Sequence, residues 1–183
     1  MDLSVPAPIL AAFVGNDAWF TFLLVLHVFG AVVGLGPTFV FPMIGKTLDT
    51  QPPPPAALAL MELNHKIEKG MVTPILLVVQ STTGIGMIFN RGINNDFFGS
   101  RNRWLTAALG MYLAALIIAM GFVSPGASKL IEMAKGGQAG SPEFMKGVAL
   151  QKRLGPVLGI LSVGILLLMV WKPGSGCGPL LRC

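Results

Sequence analysis

Few side chains in this sequence could do chemistry. His27 and His65 are its two histidines and Tyr112 its one tyrosine. A histidine ring can carry a proton or bind a metal or a haem iron. Gln80 and Tyr112 can hydrogen-bond a ligand, and the Met111 thioether can complete the ligand set of a His-bound haem. His27 is therefore the candidate metal ligand. Gln80, Tyr112 and Met111 are candidate cofactor-binding residues beside it. Cys177 and Cys183 lie in the tail GSGCGPLLRC. They could pair with each other or with a partner, but without nearby His or carboxylates they make a poor metal site. The sequence displays no phosphate-binding glycine loop and no nucleophile triad. No Asp or Glu lies inside an apolar run, which argues against a carboxylate-based, proton-coupled transporter.

The elements that must position these residues are membrane spans. Of 183 residues, 53% are hydrophobic and 11% charged, against about 25% charged in a soluble domain. The mean hydropathy is +0.71. The net charge of +5 comes from residues scattered between apolar runs. They read as topology signals and contacts for anionic head groups, not as a nucleic-acid surface. A span needs about 20 mostly apolar residues. Four segments qualify, at about 19–44, 70–89, 104–131 and 154–171. In a bilayer each must satisfy its own backbone, so an all-α bundle of four transmembrane helices is expected, as a single domain over 1–183. The first 17 residues hold no Lys or Arg, so no signal peptide is read there and the first span is expected to stay in the mature protein.

The connections differ in character. TLDTQPPPP breaks the chain after span 1, and AALALMELNHKIEKG leads amphipathically into span 2, with Glu62 and Lys66 spaced as an i, i+4 pair. His65 reads as a solvated interfacial side chain in that stretch. Pro74 should kink span 2 near its start. The third connection, from about Glu132 to Arg153, reads as an exposed loop. Five Lys and Arg residues fall on the side of the termini and eight on the other. The second side is thus expected to be cytoplasmic, with both termini outside. Trp19, Trp104 and Trp171 all fall at the outer ends of their spans, as an interfacial belt would.

Counting from those ends gives depths. His27 is eight residues from Trp19 and Tyr112 eight from Trp104, about 12 Å below the outer face at the helical rise. Gln80 is nine residues before Phe89 and Ser162 nine before Trp171, at the same level, with Thr82 and Thr83 close by. Two readings fit this polar layer: a ligand site centred on His27, or hydrogen bonds from His27 to Gln80 or Tyr112 that join helices. Gly30 and Gly34 either let helices approach closely or leave room for a flat cofactor. His65 lies on the cytoplasmic side and His27 in the outer half of the bilayer, too far apart along the normal for both to ligate one haem.

The segments LHVFGAVVGLGPTFVFP, Met71-Val-Thr-Pro74, Trp104-Leu105 and LLLMVWKP resemble a group of small four-helix bacterial membrane proteins. That group comprises uncharacterised "predicted integral membrane protein" families, the CopD-type copper-resistance domain and the HemJ-type protoporphyrinogen oxidase. The resemblance runs from about residue 18 to 173. It implies a bacterial inner-membrane location. In the HemJ type the matching span 1 histidine binds haem b, a role that would fall on His27. The HemJ-type W-L-H-x-K motif is here Trp104-Leu105-Thr106-Ala107-Ala108, without the second histidine and the lysine. The expected function is a membrane subunit or binding protein, without catalytic apparatus of its own, holding a haem-like or quinone-like ligand near His27. Its expected partners are the lipid bilayer and other membrane proteins or further copies of itself. A HemJ-like haem b oxidoreductase, an accessory subunit of a respiratory or photosynthetic complex, and a copper-handling module are the alternatives.

Overall fold

A computed structural model describes residues 18–49, 54–90 and 97–173. The expectations placed on the first 17 residues and on Cys177 and Cys183 lie outside the described residues. The described chain is built of four long helices. Helix α1 is Ala18–Asp49, α2 runs over 54–90, α3 is Arg103–Lys135 and α4 is Pro142–Trp171. All four are long and apolar enough to cross a membrane, as the four apolar runs require. Each helix closes its own backbone hydrogen bonds, which hydrocarbon could not do for it.

Two of the helices are not regular. Helix α2 widens into π-helical turns at Glu68–Val72 and Ile75–Gln80, on either side of Pro74. Helix α3 widens at Ala119–Val123, directly ahead of Pro125. A proline offers no N–H to the carbonyl four residues back, and its ring crowds that carbonyl, so the preceding turn opens. The bend expected at Pro74 thus takes the form of widened turns. Pro156 lies inside α4 with no such widening.

The helices continue past the apolar runs at the end away from the tryptophans. The loop expected from Glu132 to Arg153 shrinks to residues 136–141, because α3 extends to Lys135 and α4 starts at Pro142. Local signals account for this. Ser141 caps α4, its Oγ accepting from the Phe144 N–H at 3.2 Å, and Pro142 suits the first turn. Gly137 and Gly140 take positive φ angles of 72° and 96° in the turn, which glycine adopts without strain. Glu62 pairs with Lys135 of α3 at 2.9 Å, not with Lys66 on its own helix.

The bundle closes as a ring. Helix α1 packs along α2 and also against α4, α3 packs most extensively against α4, and α2 meets α3 through 54–67 against Ser124–Lys135. Glycines permit the closest approach. A Cβ on Gly34 would lie 2.7 Å from Leu76 Cδ2, and one on Gly30 would lie 2.9 Å from Gln80 Oε1. The core is thin: Leu23, Val72, Leu105, Ala108, Leu130 and Ile165 are among its buried residues, with Thr83 and Ser162 as polar members. Apolar side chains such as Phe29, Val78, Ile117 and Ile160 face outward, which suits lipid as solvent. Lys172 ends α4 in the left-handed region and sets its Nζ 5.7 Å from the centre of the Trp104 ring. That contact joins the start of α3 to the end of α4, so the tryptophans mark one end of the bundle and the 136–141 turn the other.

Candidate functional site

Helix α1 presents His27 to α2, where the absence of a side chain at Gly30 lets the two backbones close up. The Gln80 amide lies 2.9 Å from His27 Nε2, with its Nε2 as donor. Thr83 Oγ1 lies 3.0 Å from His27 Nδ1 and donates its one hydrogen to the Val79 carbonyl at 2.6 Å. Thr83 therefore accepts from His27, which fixes the neutral tautomer with hydrogen on Nδ1 and a lone pair on Nε2. Gln80 donates to that lone pair. Both ring nitrogens are engaged by α2. Thr82, one residue along, faces outward and bonds its own turn through the Val78 carbonyl at 2.6 Å.

The rest of the polar layer does not converge on His27. Tyr112 of α3 shares a hydrogen bond of 2.9 Å with Ser81 and donates to the Leu76 carbonyl. Leu76 lies within the π-helical stretch of α2, where the ladder is loosened and a carbonyl is open to an outside donor. Met111 packs against α4, where a methyl added at Gly164 would collide with its Cε. Ser162 of α4 is buried, at 3% exposure. One depth thus holds separate clusters: His27, Gln80 and Thr83 between α1 and α2, Tyr112 and Ser81 between α2 and α3, and Met111 between α3 and α4.

A haem b at this depth would draw on His27 as its iron ligand. An iron would need the His27 Nε2 lone pair, which Gln80 already engages at 2.9 Å. The face beside Gly30 and Gly34, where a flat macrocycle would lie, is filled by Gln80, Val79 and Leu76. In this arrangement His27, Gln80, Tyr112 and Met111 do not form a haem site.

A second cluster sits at the opposite end. His65 of α2 lies with its Nε2 2.9 Å from Ser128 Oγ of α3 and its Nδ1 3.7 Å from Glu68 Oε2. The His65 and Glu68 side chains are each only 15% exposed, so His65 is not the solvated side chain that its charged neighbours suggest. Ser128 Oγ also lies 3.3 Å from the carbonyl of Ser124, one turn back on its own helix. The spacing His65-x-x-Glu68 sets both on one helix face and was visible in the sequence. Ser128 is 63 residues from His65, and only the packing of α3 on α2 brings it there. Among the described residues no group of three or more His, Cys, Asp or Glu side chains could hold a metal ion.

The fold and its polar layer define a multi-pass, four-helix integral membrane protein. The chain belongs to a family described as predicted integral membrane proteins (DUF2269), which it matches over residues 21–173. No curated protein and no solved structure matches it.

Proposed function

We propose that the chain is a small multi-pass subunit of a bacterial inner membrane, whose outer polar layer joins helices and does not ligate a haem. The observation that carries this reading is the engagement of both His27 ring nitrogens by α2, at 2.9 Å from Gln80 and 3.0 Å from Thr83. A neutral histidine has one donor and one acceptor, and here both have partners on the neighbouring helix. A second observation supports the subunit reading. Each of the four helices carries exposed large apolar side chains, among them Phe29, Val78, Ile117 and Ile160. These are offered to lipid or to the helices of another membrane protein.

The test is an absorption spectrum of the purified protein together with that of His27→Ala. This reading expects no Soret band in either. A Soret band that disappears in His27→Ala would overturn it in favour of a haem site, for which Gln80 would have to swing away from the ring. A quinone-like ligand faces a similar obstacle. Its carbonyls need a donor, and the donors of His27 and Thr83 are already directed at Thr83 and Val79.

A further inference from the structure

We propose that Ser128, His65 and Glu68 form an acyl-transfer site at the turn end of the bundle, acting on carboxylic esters of amphiphiles. This goes beyond the subunit reading and concerns residues remote from His27. The geometry is that of a nucleophile, a base and an orienting carboxylate. Ser128 Oγ is 2.9 Å from His65 Nε2, within reach for proton transfer. Glu68 Oε2 is 3.7 Å from the other ring nitrogen, longer than a hydrogen bond and in the looser range seen before a substrate binds. Ser128 has one hydrogen and two acceptors in reach, His65 Nε2 at 2.9 Å and the Ser124 carbonyl at 3.3 Å; with hydrogen on His65 Nδ1 a donor faces the carboxylate, and the shorter of the two contacts takes the serine hydrogen. The opposite tautomer would face a lone pair to a carboxylate.

Depth argues for the substrate class. Ser128 is 24 residues beyond Trp104, and His65 is 24 residues before Phe89, so both lie about 36 Å from the tryptophan end at the helical rise. The hydrocarbon core is about 30 Å thick. The cluster therefore falls at the head-group level, where an amphiphile carries its ester carbonyl and where water is at hand. Lys69 is the adjacent cation, its charge acting on both His65 and Glu68, and it is exposed enough to turn toward a developing oxyanion.

The step balances with water as the only co-reactant. Ser128 Oγ bonds to the ester carbonyl carbon, its proton passes to His65 Nε2, and the carbonyl π electrons move onto oxygen. Collapse re-forms the carbonyl and breaks the bond to the alcohol oxygen, which leaves with the proton from His65. Water then attacks the acyl-serine by the same route and returns the proton to Ser128. Glu68 holds the ring and faces the imidazolium while it exists.

The test treats the full-length protein in detergent micelles with an alkyl fluorophosphonate and locates the adduct by peptide mass spectrometry. An adduct on Ser128 is expected, absent in Ser128→Ala, and formed about 100-fold more slowly in His65→Gln, the scale of a lost general base. The glutamine can still hydrogen-bond Ser128, and thermal melts of both proteins check that the helices stay together. No adduct on Ser128 in the unmutated protein overturns the proposal without recourse to any variant. An equal rate in a folded His65→Gln overturns it too, because the serine would then be merely accessible.

Discussion

A histidine placed about 12 Å inside a bilayer must find partners or stay out of the hydrocarbon. His27 finds two on one helix, and each bond is worth what an interhelical hydrogen bond in a membrane is worth, about 0.6 and at most about 1.7 kcal/mol. His27→Ala should therefore lower stability by about 1–3 kcal/mol, read as a shift in a denaturant titration in micelles. A wild-type melt would remove the argument that the layer joins α1 to α2. The glycines allow a sharper comparison. A methyl at Gly30 meets Gln80 Oε1 at 2.9 Å and Val79 Cγ1 at 3.2 Å. Gln80 can yield only by leaving His27, so Gly30→Ala should cost about 1–3 kcal/mol. A methyl at Gly164 meets only the end of Met111, and a thioether with three rotatable bonds can move aside. Gly164→Ala should lie within about 0.5 kcal/mol of the parent. Equal losses for the two alanines would contradict this account of Gln80.

At the scale of elements, the widened turns of α2 and α3 have partners on other helices. Tyr112 donates to Leu76 in the π stretch of α2. Gln151 of α4 donates to the Val123 carbonyl, the last of the α3 π turn, at 2.8 Å. Tyr112→Phe and Gln151→Leu should each cost about 1 kcal/mol and speed amide exchange locally, near residue 76 in one and near 123 in the other. Exchange that rises along the whole of α2 or α3 would show instead that the contact holds the element and not the turn. Ser141 belongs to the same scale. Its loss in Ser141→Ala removes the cap on the Phe144 N–H and should cost about 1 kcal/mol, with faster exchange confined to the first turn of α4. The start of α4 was legible in Ser141-Pro142, a cap followed by a residue suited to the first turn, but the apolar run that marked the span begins only near Leu154. Amphipathic turns beyond the hydrocarbon follow capping and tertiary contact, so a hydropathy window misses them.

At the scale of the molecule, four crossings put both ends of the described chain on one side and the 136–141 turn on the other. The bias of eight Lys and Arg residues against five predicts that this turn faces the cytoplasm. Single cysteines introduced at Gln138 and at Ala18, in a protein whose Cys177 and Cys183 are replaced by serine, would test it with a membrane-impermeant thiol reagent on intact cells. Label is expected at position 18 and absent at position 138 until the cells are opened, and the reverse pattern would invert the topology.

What the residues determined unaided was everything that depends on burial in lipid. The four apolar runs demand helices because hydrocarbon offers the backbone no partner, and the tryptophans and the helical rise then set a depth for every residue. Depth is one coordinate. It put His27, Gln80, Tyr112 and Met111 at one level but left open which of them meet. Azimuth decides that, and the π-helical turns beside Pro74 and Pro125 rotate everything beyond them in a way that a fixed 3.6-residue period does not describe. Only the tertiary structure gave Gln80 and Thr83 to His27, Ser81 to Tyr112 and Gly164 to Met111. It alone set Ser128 beside His65 across 63 residues, because the contact depends on how α3 lies on α2 and on no pattern within either helix.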